Sequence, residues 1–164
     1  IDSMAEINDH ADKFNGRITG IDPGAGLMGL SEEAVEAYGM DKMELMEGSD
    51  SMMTAALANA IRNEDWIIVT AWSPHWKFGT WDLKYLEDPK GILGEEEHID
   101  TIVRKGLKDD MPEVYNFLKN FKYKDANQLQ MVMAWNAESG SDRYENAKRF
   151  IAENKEQVDG WLGR

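Results

Sequence analysis

Cysteine is absent from the 164 residues, which removes disulfides and thiolate metal sites. Histidine is scarce. His10, His75 and His98 are the only three, and they fall in separate expected elements, so no metal-ligand cluster is legible. Bases are outnumbered, 18 against 31 acids, for a net charge of −13. Nucleic acid and anionic membrane surfaces both need Lys and Arg, so neither is expected as a partner. Arg104-Lys105 is an isolated basic pair. No apolar run approaches the ~20 residues of a membrane span. There is no internal repeat and no low-complexity stretch. No signal peptide and no initiator Met are visible, because Ile1 opens straight into a capped helix pattern. The expectation is that the natural chain begins further upstream.

What is present is a foldable chain. It is 42% hydrophobic and 10% aromatic, enough for one domain with a core or for two small lobes. The acid excess is uneven: residues 1–64 hold 13 acids and 4 bases, the remainder 18 and 14. This reads as a solvated acidic face. The ten Met residues read as helix-core filler.

Ser3-Met4-Ala5-Glu6 predicts a capping box with a helix to about Phe14. After the Asn15-Gly16 turn, 17–21 reads as a strand closed by Asp22-Pro23-Gly24. Leu27 to Tyr38 has helical spacing, with Gly39 as its C′ residue. Residues 43–46 form a strand candidate, Ser49-Asp50 caps a helix through Ile61, and 66–71 is the next strand. This β-α-β-α-β order predicts a parallel sheet with packed helices. Residues 81–86 and 99–104 are further strand candidates, and Glu95-Glu96-Glu97 reads as a solvated loop. From Met111 on, four helical faces follow, carried by residues 114–121, 129–136, 144–151 and 158–162.

Two stretches carry chemistry. Ile67 to Ala71 is a short apolar run followed by Trp72-Ser73-Pro74-His75-Trp76. An aromatic face, an imidazole and a breaker thus stand at a strand end, where α/β proteins bind ligands. On the residues alone, a core Trp and a structural His are the commoner outcome. Gly20-Ile21-Asp22-Pro23-Gly24-Ala25-Gly26-Leu27 is a strand, Gly-rich turn and helix start. Such a start can hold an anion, and a plain βα turn is again the commoner outcome. Gly24 to Gly29 matches G-x-G-x-x-G, with Glu47 as a formal acidic partner. Pro23 does not suit a dinucleotide turn, so that reading is set aside. A Ser–His–acid triad lacks its elbow, since Ser73 stands beside Pro74. An enzyme using His75 as a base would lack a nucleophile and a partnered acid, and no enzymatic activity is expected.

The same residues carry a resemblance. Gly20 to Gly26, Glu47-Gly48-Ser49, Val69 to Phe78, Asp82 to Gly91 and His98 to Gly106 occur in this order, and together they resemble the glycine betaine-binding proteins of ABC importers. Trp-x-Pro-His-Trp and Tyr-Leu-Glu-Asp-Pro-Lys-Gly are the specific signatures, and the similarity covers nearly the whole chain. The resemblance implies an α/β, type II periplasmic-binding-protein-like fold. Residues 1–71 would be the second lobe, a parallel sheet lobe. Residues 72–164 would be the crossover and the returning C-terminal portion of the first lobe. The N-terminal half of that first lobe would precede Ile1. A half-lobe leaves a sheet edge and apolar surface uncovered, so homodimerisation or segment exchange is expected.

The resemblance also implies a site. Trp72 matches a cage Trp, and His75 matches the carboxylate-binding His. Gly26 and Leu27 can offer backbone N–H groups to a carboxylate. Some relatives place an aromatic where Ala25 stands, so one cage wall is absent or supplied differently. Trp76 is read as core packing. The expected ligand is glycine betaine, proline betaine or a choline-like small molecule, without cofactor or metal. A quaternary ammonium is held by π faces at roughly 0.5–2 kcal/mol each. The carboxylate is held by directed donors, which would be left unpaired by choline. Lobe closure would signal the loaded state to the transporter permease. The expected location is periplasmic or otherwise extracytoplasmic, membrane-associated through the transporter. The alternative is a half-protein or truncated domain that folds or dimerises without ligand.

Overall fold

In the computed structural model, which describes residues 1–95 and 98–164, Ser3 closes the predicted capping box. Glu96 and Glu97, expected in a solvated loop, lie outside the described residues. The Ser3 hydroxyl accepts from the Ala5 N–H at 3.3 Å, and Glu6 Oε2 accepts from the N–H groups of Asp2 and Ser3 at 2.7 and 2.9 Å. The expected single helix is two 3-10 pieces, Met4–Glu6 and Asn8–Phe14.

The chain divides into two units. The first holds Ile1–Trp72 and the stretch that starts at Lys84. The second holds Ser73–Leu83 and the stretch that ends at Arg164.

The first unit alternates strand and helix as expected: β1 (Arg17–Thr19), α1 (Gly26–Ala37), β2 (Glu44–Met46) and α2 (Asp50–Asn63). β1 and β2 pair in parallel, with Ile18 opposite Leu45. The expected strand at 66–71 contributes only a parallel bridge, Thr19 to Val69. It is held by Thr19 N–H to Ile68 C=O and Thr70 N–H to Thr19 C=O, both 2.9 Å. β1 therefore lies in the middle. Gly39 ends α1 with φ +61 in a Schellman arrangement: its N–H donates to Glu36 C=O and that of Met40 to Val35 C=O. One core cluster joins Ile7, Ala11, Phe14, Ile18, Met40 and Met43. A second joins Ile21, Met28 and Met53 at the sheet end.

The strand candidates 81–86 and 99–104 form no ladder among the described residues. A strand needs a neighbour for its backbone groups. The first run reaches one only at its end, where Ser3 bridges Glu87. In the second, Ile99 and Ile102 are 80% and 93% exposed, so its apolar residues mark no buried face.

The second unit is helical. α3 (Trp76–Thr80) and α4 (Leu107–Asp110) are short. α5 (Pro112–Asn120), with Pro at its start, is followed by α6 (Ala126–Ala137), α7 (Arg143–Glu153) and α8 (Lys155–Trp161). Its core is aromatic: Trp135, Phe150 and Trp161, with Phe117, Phe121 and Tyr123 against them. No helix among the described residues is long and apolar enough to cross a membrane.

Candidate functional site

The Gly-rich turn after β1 is built by its own side chain. Asp22 Oδ1 accepts from the Gly24 N–H, and Asp22 C=O from the Ala25 N–H, each at 2.9 Å. That turn delivers Ala25, in extended backbone, as the N-cap of α1, and Ala25 has no side chain able to cap. The first N–H groups of a helix have no intrahelical partner, and they carry the positive end of its dipole. Here those positions are Gly26 and Leu27. Gly26 is exposed, and a Cβ placed on it meets nothing within 4 Å. A ligand can thus approach the backbone there.

Trp72 is half-buried and packs on the Ile21, Met28 and Met53 cluster. Ala25 and Leu27 pack on the same cluster. The first unit therefore groups Trp72, Ala25 and Leu27 on one apolar base, with Gly26 between the latter two. Met28 is fully buried, and its Sδ accepts from the Ile21 N–H at 3.3 Å, which ties the turn to α1.

His75 belongs to the second unit. It is 3% exposed and is the N-cap of α3, its Nδ1 accepting from the Lys77 N–H at 3.1 Å. An Nδ1 that accepts leaves the proton of the neutral ring on Nε2, which makes Nε2 the donor. The Trp76 ring lies 5.6 Å from the imidazole, and Trp81 lies 5.3 Å from Trp76. Lys77 is fully buried, with Nζ 5.3 Å from the Phe78 centroid.

Residues 1–153 match the family described as the substrate binding domain of ABC-type glycine betaine transport systems. The chain belongs to this family. A curated relative, the glycine betaine/carnitine transport binding protein GbuC of Listeria monocytogenes serotype 1/2a (strain 10403S), is 40% identical over 155 residues. That match covers 93% of this chain and 51% of the relative, so the chain spans about half the length of that relative. Lactococcal OpuAC, solved closed with glycine betaine, superposes with a TM-score of 0.80 at 40% identity, covering 99% of this chain and 62% of that one. An ABC-transporter choline binding protein solved with choline gives a TM-score of 0.72 at 26% identity, covering 99% and 58%. The fold is accordingly α/β and periplasmic-binding-protein-like, with a parallel sheet.

Within this substrate-binding-domain family, the Tyr-Leu-Glu-Asp-Pro-Lys-Gly signature has a structural task here. Asp88 Oδ1 accepts from the Tyr38 hydroxyl at 2.5 Å, and Oδ2 from the Leu93 N–H at 2.7 Å. The Lys90 N–H donates to the Tyr38 oxygen at 2.8 Å, while Lys90 Nζ donates to Ala37 C=O and sits 4.9 Å from the Tyr38 centroid. The segment is thereby clasped to the end of α1. Burial, then the bond to Asp88, pushes the Tyr38 hydroxyl above its ordinary value. Burial also pushes the Asp88 carboxyl up, but its hydrogen bonds from Leu93, Tyr38, Lys90 and Gly91 outweigh this and hold it low.

Two features near the candidate site have no local sequence signal. Gln130, on α6, donates from Nε2 to Ser73 Oγ at 2.7 Å. Gly79 lets α3 rest on α6, since a Cβ there would stand 2.7 Å from Gln130 O and 2.9 Å from Ala134 Cβ.

Proposed function

We propose that this chain captures glycine betaine, or a related quaternary-ammonium zwitterion such as proline betaine, as the solute-binding part of an ABC importer. It would work outside the cytoplasm and hand its ligand to the transporter permease. Residues 1–71 would form one lobe, joined by the segment that returns at Lys84, and the rest of 72–164 would be the crossover and returning portion of the other. Trp72 would present its π face to the trimethylammonium group. His75, through Nε2–H, and the N–H groups of Gly26 and Leu27 would hold the carboxylate. Ala25 would line the site without adding an aromatic wall, which makes the remaining Trp face more important.

The observation that carries this reading is the grouping of Trp72 and the open α1 start on one apolar cluster, within a member of this family. Titrating glycine betaine into the full chain is expected to change tryptophan fluorescence and to give a heat of binding. Trp72→Ala is expected to weaken binding by at least ~tenfold, the worth of a desolvated cation–π contact. A folded chain that binds no betaine and no choline refutes the reading.

The exposure of Ile99 and Ile102 favours a second reading, a fragment that self-associates without ligand. Light scattering beside the same titration separates the two. A binding-competent monomer supports the first, and a dimer that binds nothing supports the second.

A further inference from the structure

We infer that Gln130 is a positioning residue for His75, an inference that rests on the betaine-binding reading. Gln130 is 6% exposed and lies in α6. Its side chain holds Ser73, two residues before His75, through the 2.7 Å bond from Nε2 to Oγ. Its carbonyl faces the other flank of the same stretch, 2.7 Å from where a Gly79 Cβ would be. One buried residue thus brackets the segment that carries the imidazole.

The segment needs this support. α3 has five residues, too few to hold its own shape. The His75 Nδ1 accepts from the Lys77 N–H, which ties the ring to the backbone of its own segment. A swing of the 73–79 backbone therefore carries the ring, and Nε2–H, with it. Hydrogen bonds weaken steeply with misalignment, so a small swing of this segment would cost the carboxylate contact. A buried amide must be hydrogen-bonded to be tolerated, and packing alone would be served by Leu. The Gln130–Ser73 bond gives the polar side chain its reason.

Ser73 is exposed, so truncating it removes the bond without emptying the core. The test measures glycine betaine affinity in the full chain and in Ser73→Ala, Ser73→Thr, Gln130→Leu and the Ser73→Ala/Gln130→Leu double variant. It also records the His75 ring nitrogen NMR signals of each without ligand. Ser73→Ala and Gln130→Leu are each expected to weaken binding roughly fivefold, the worth of one hydrogen bond, and to shift the ring signals. The double variant should be no weaker than the single ones, and Ser73→Thr should keep wild-type affinity. Unchanged affinity in Ser73→Ala overturns the inference, as do additive losses in the double variant. If the unmodified chain binds no betaine, the functional reading fails by itself. The ring signals then decide the positioning: a shift in Ser73→Ala keeps it and an unmoved spectrum overturns it.

Discussion

Gly20 stands where β1 leaves the sheet, and its missing side chain is a packing requirement. A Cβ would lie 2.6 Å from both Met28 Sδ and the Met46 carbonyl oxygen. The Met side chain can shift, but the carbonyl belongs to the β2 backbone. Gly20→Ala is expected to destabilise the chain by about 1–3 kcal/mol, read from the urea midpoint. Glu64 presents the opposite case. It ends α2 with φ +59, and the next N–H, Asp65, donates to Ala60 C=O at 2.9 Å. That left-handed position suits Gly, and Glu holds it under strain. Glu64→Gly is expected to stabilise by about 0.5–1 kcal/mol after the added freedom of the unfolded chain is subtracted, again from the urea midpoint.

Elements were legible where period and cap agree. α1 and α2 show this: the Ser49 hydroxyl accepts from the Met52 N–H at 3.2 Å, and Gly39 takes the left-handed C′ position. α3 and α4 were not legible, because five and four residues are too short to show a helical period. The runs 81–86 and 99–104 had strand-like composition, but pairing is a tertiary property that no local run reveals. The candidate site divides in the same way. The Asp22 turn and the α1 start are local and were read from spacing. The Gln130–Ser73 bond joins residues far apart in sequence, and neither residue type announces it. The same distance hides Gly79, which lets α3 lie on α6. Gly79→Ala would drive a Cβ into the Gln130 carbonyl, and about 1–3 kcal/mol of destabilisation is expected. Thermal melting followed by aromatic circular dichroism reads it, since the second unit's core is aromatic.

At the scale of the whole molecule, the chain leaves the first unit after Trp72 and rejoins it at Lys84, so something must hold the returning segment. Three carboxylates share that task. Asp2 pairs with Lys84, which lowers its carboxyl through a hydrogen bond and charge. Glu6 caps the N-terminal turn, whose Asp2 and Met4 backbones bond Glu87, and the N–H groups of Asp2 and Ser3 hold it low. Asp88 is held low by the Tyr38 clasp, its hydrogen bonds outweighing burial. All three therefore bind protons more readily when unfolded than when folded. Their stabilisation is complete above the ordinary values of 3.8 for Asp and 4.5 for Glu, and is lost as pH falls through the lower folded values. Hydrogen exchange between about pH 6 and pH 3 should accordingly show the 84–95 amides losing protection before those of α6 to α8, whose core is built from aromatic side chains. Asp88→Asn should bring part of that loss forward to neutral pH and flatten what remains of the acid dependence. Retained protection of 84–95 at about pH 3, equal to that of α6 to α8, would show that the clasp does not depend on these charges.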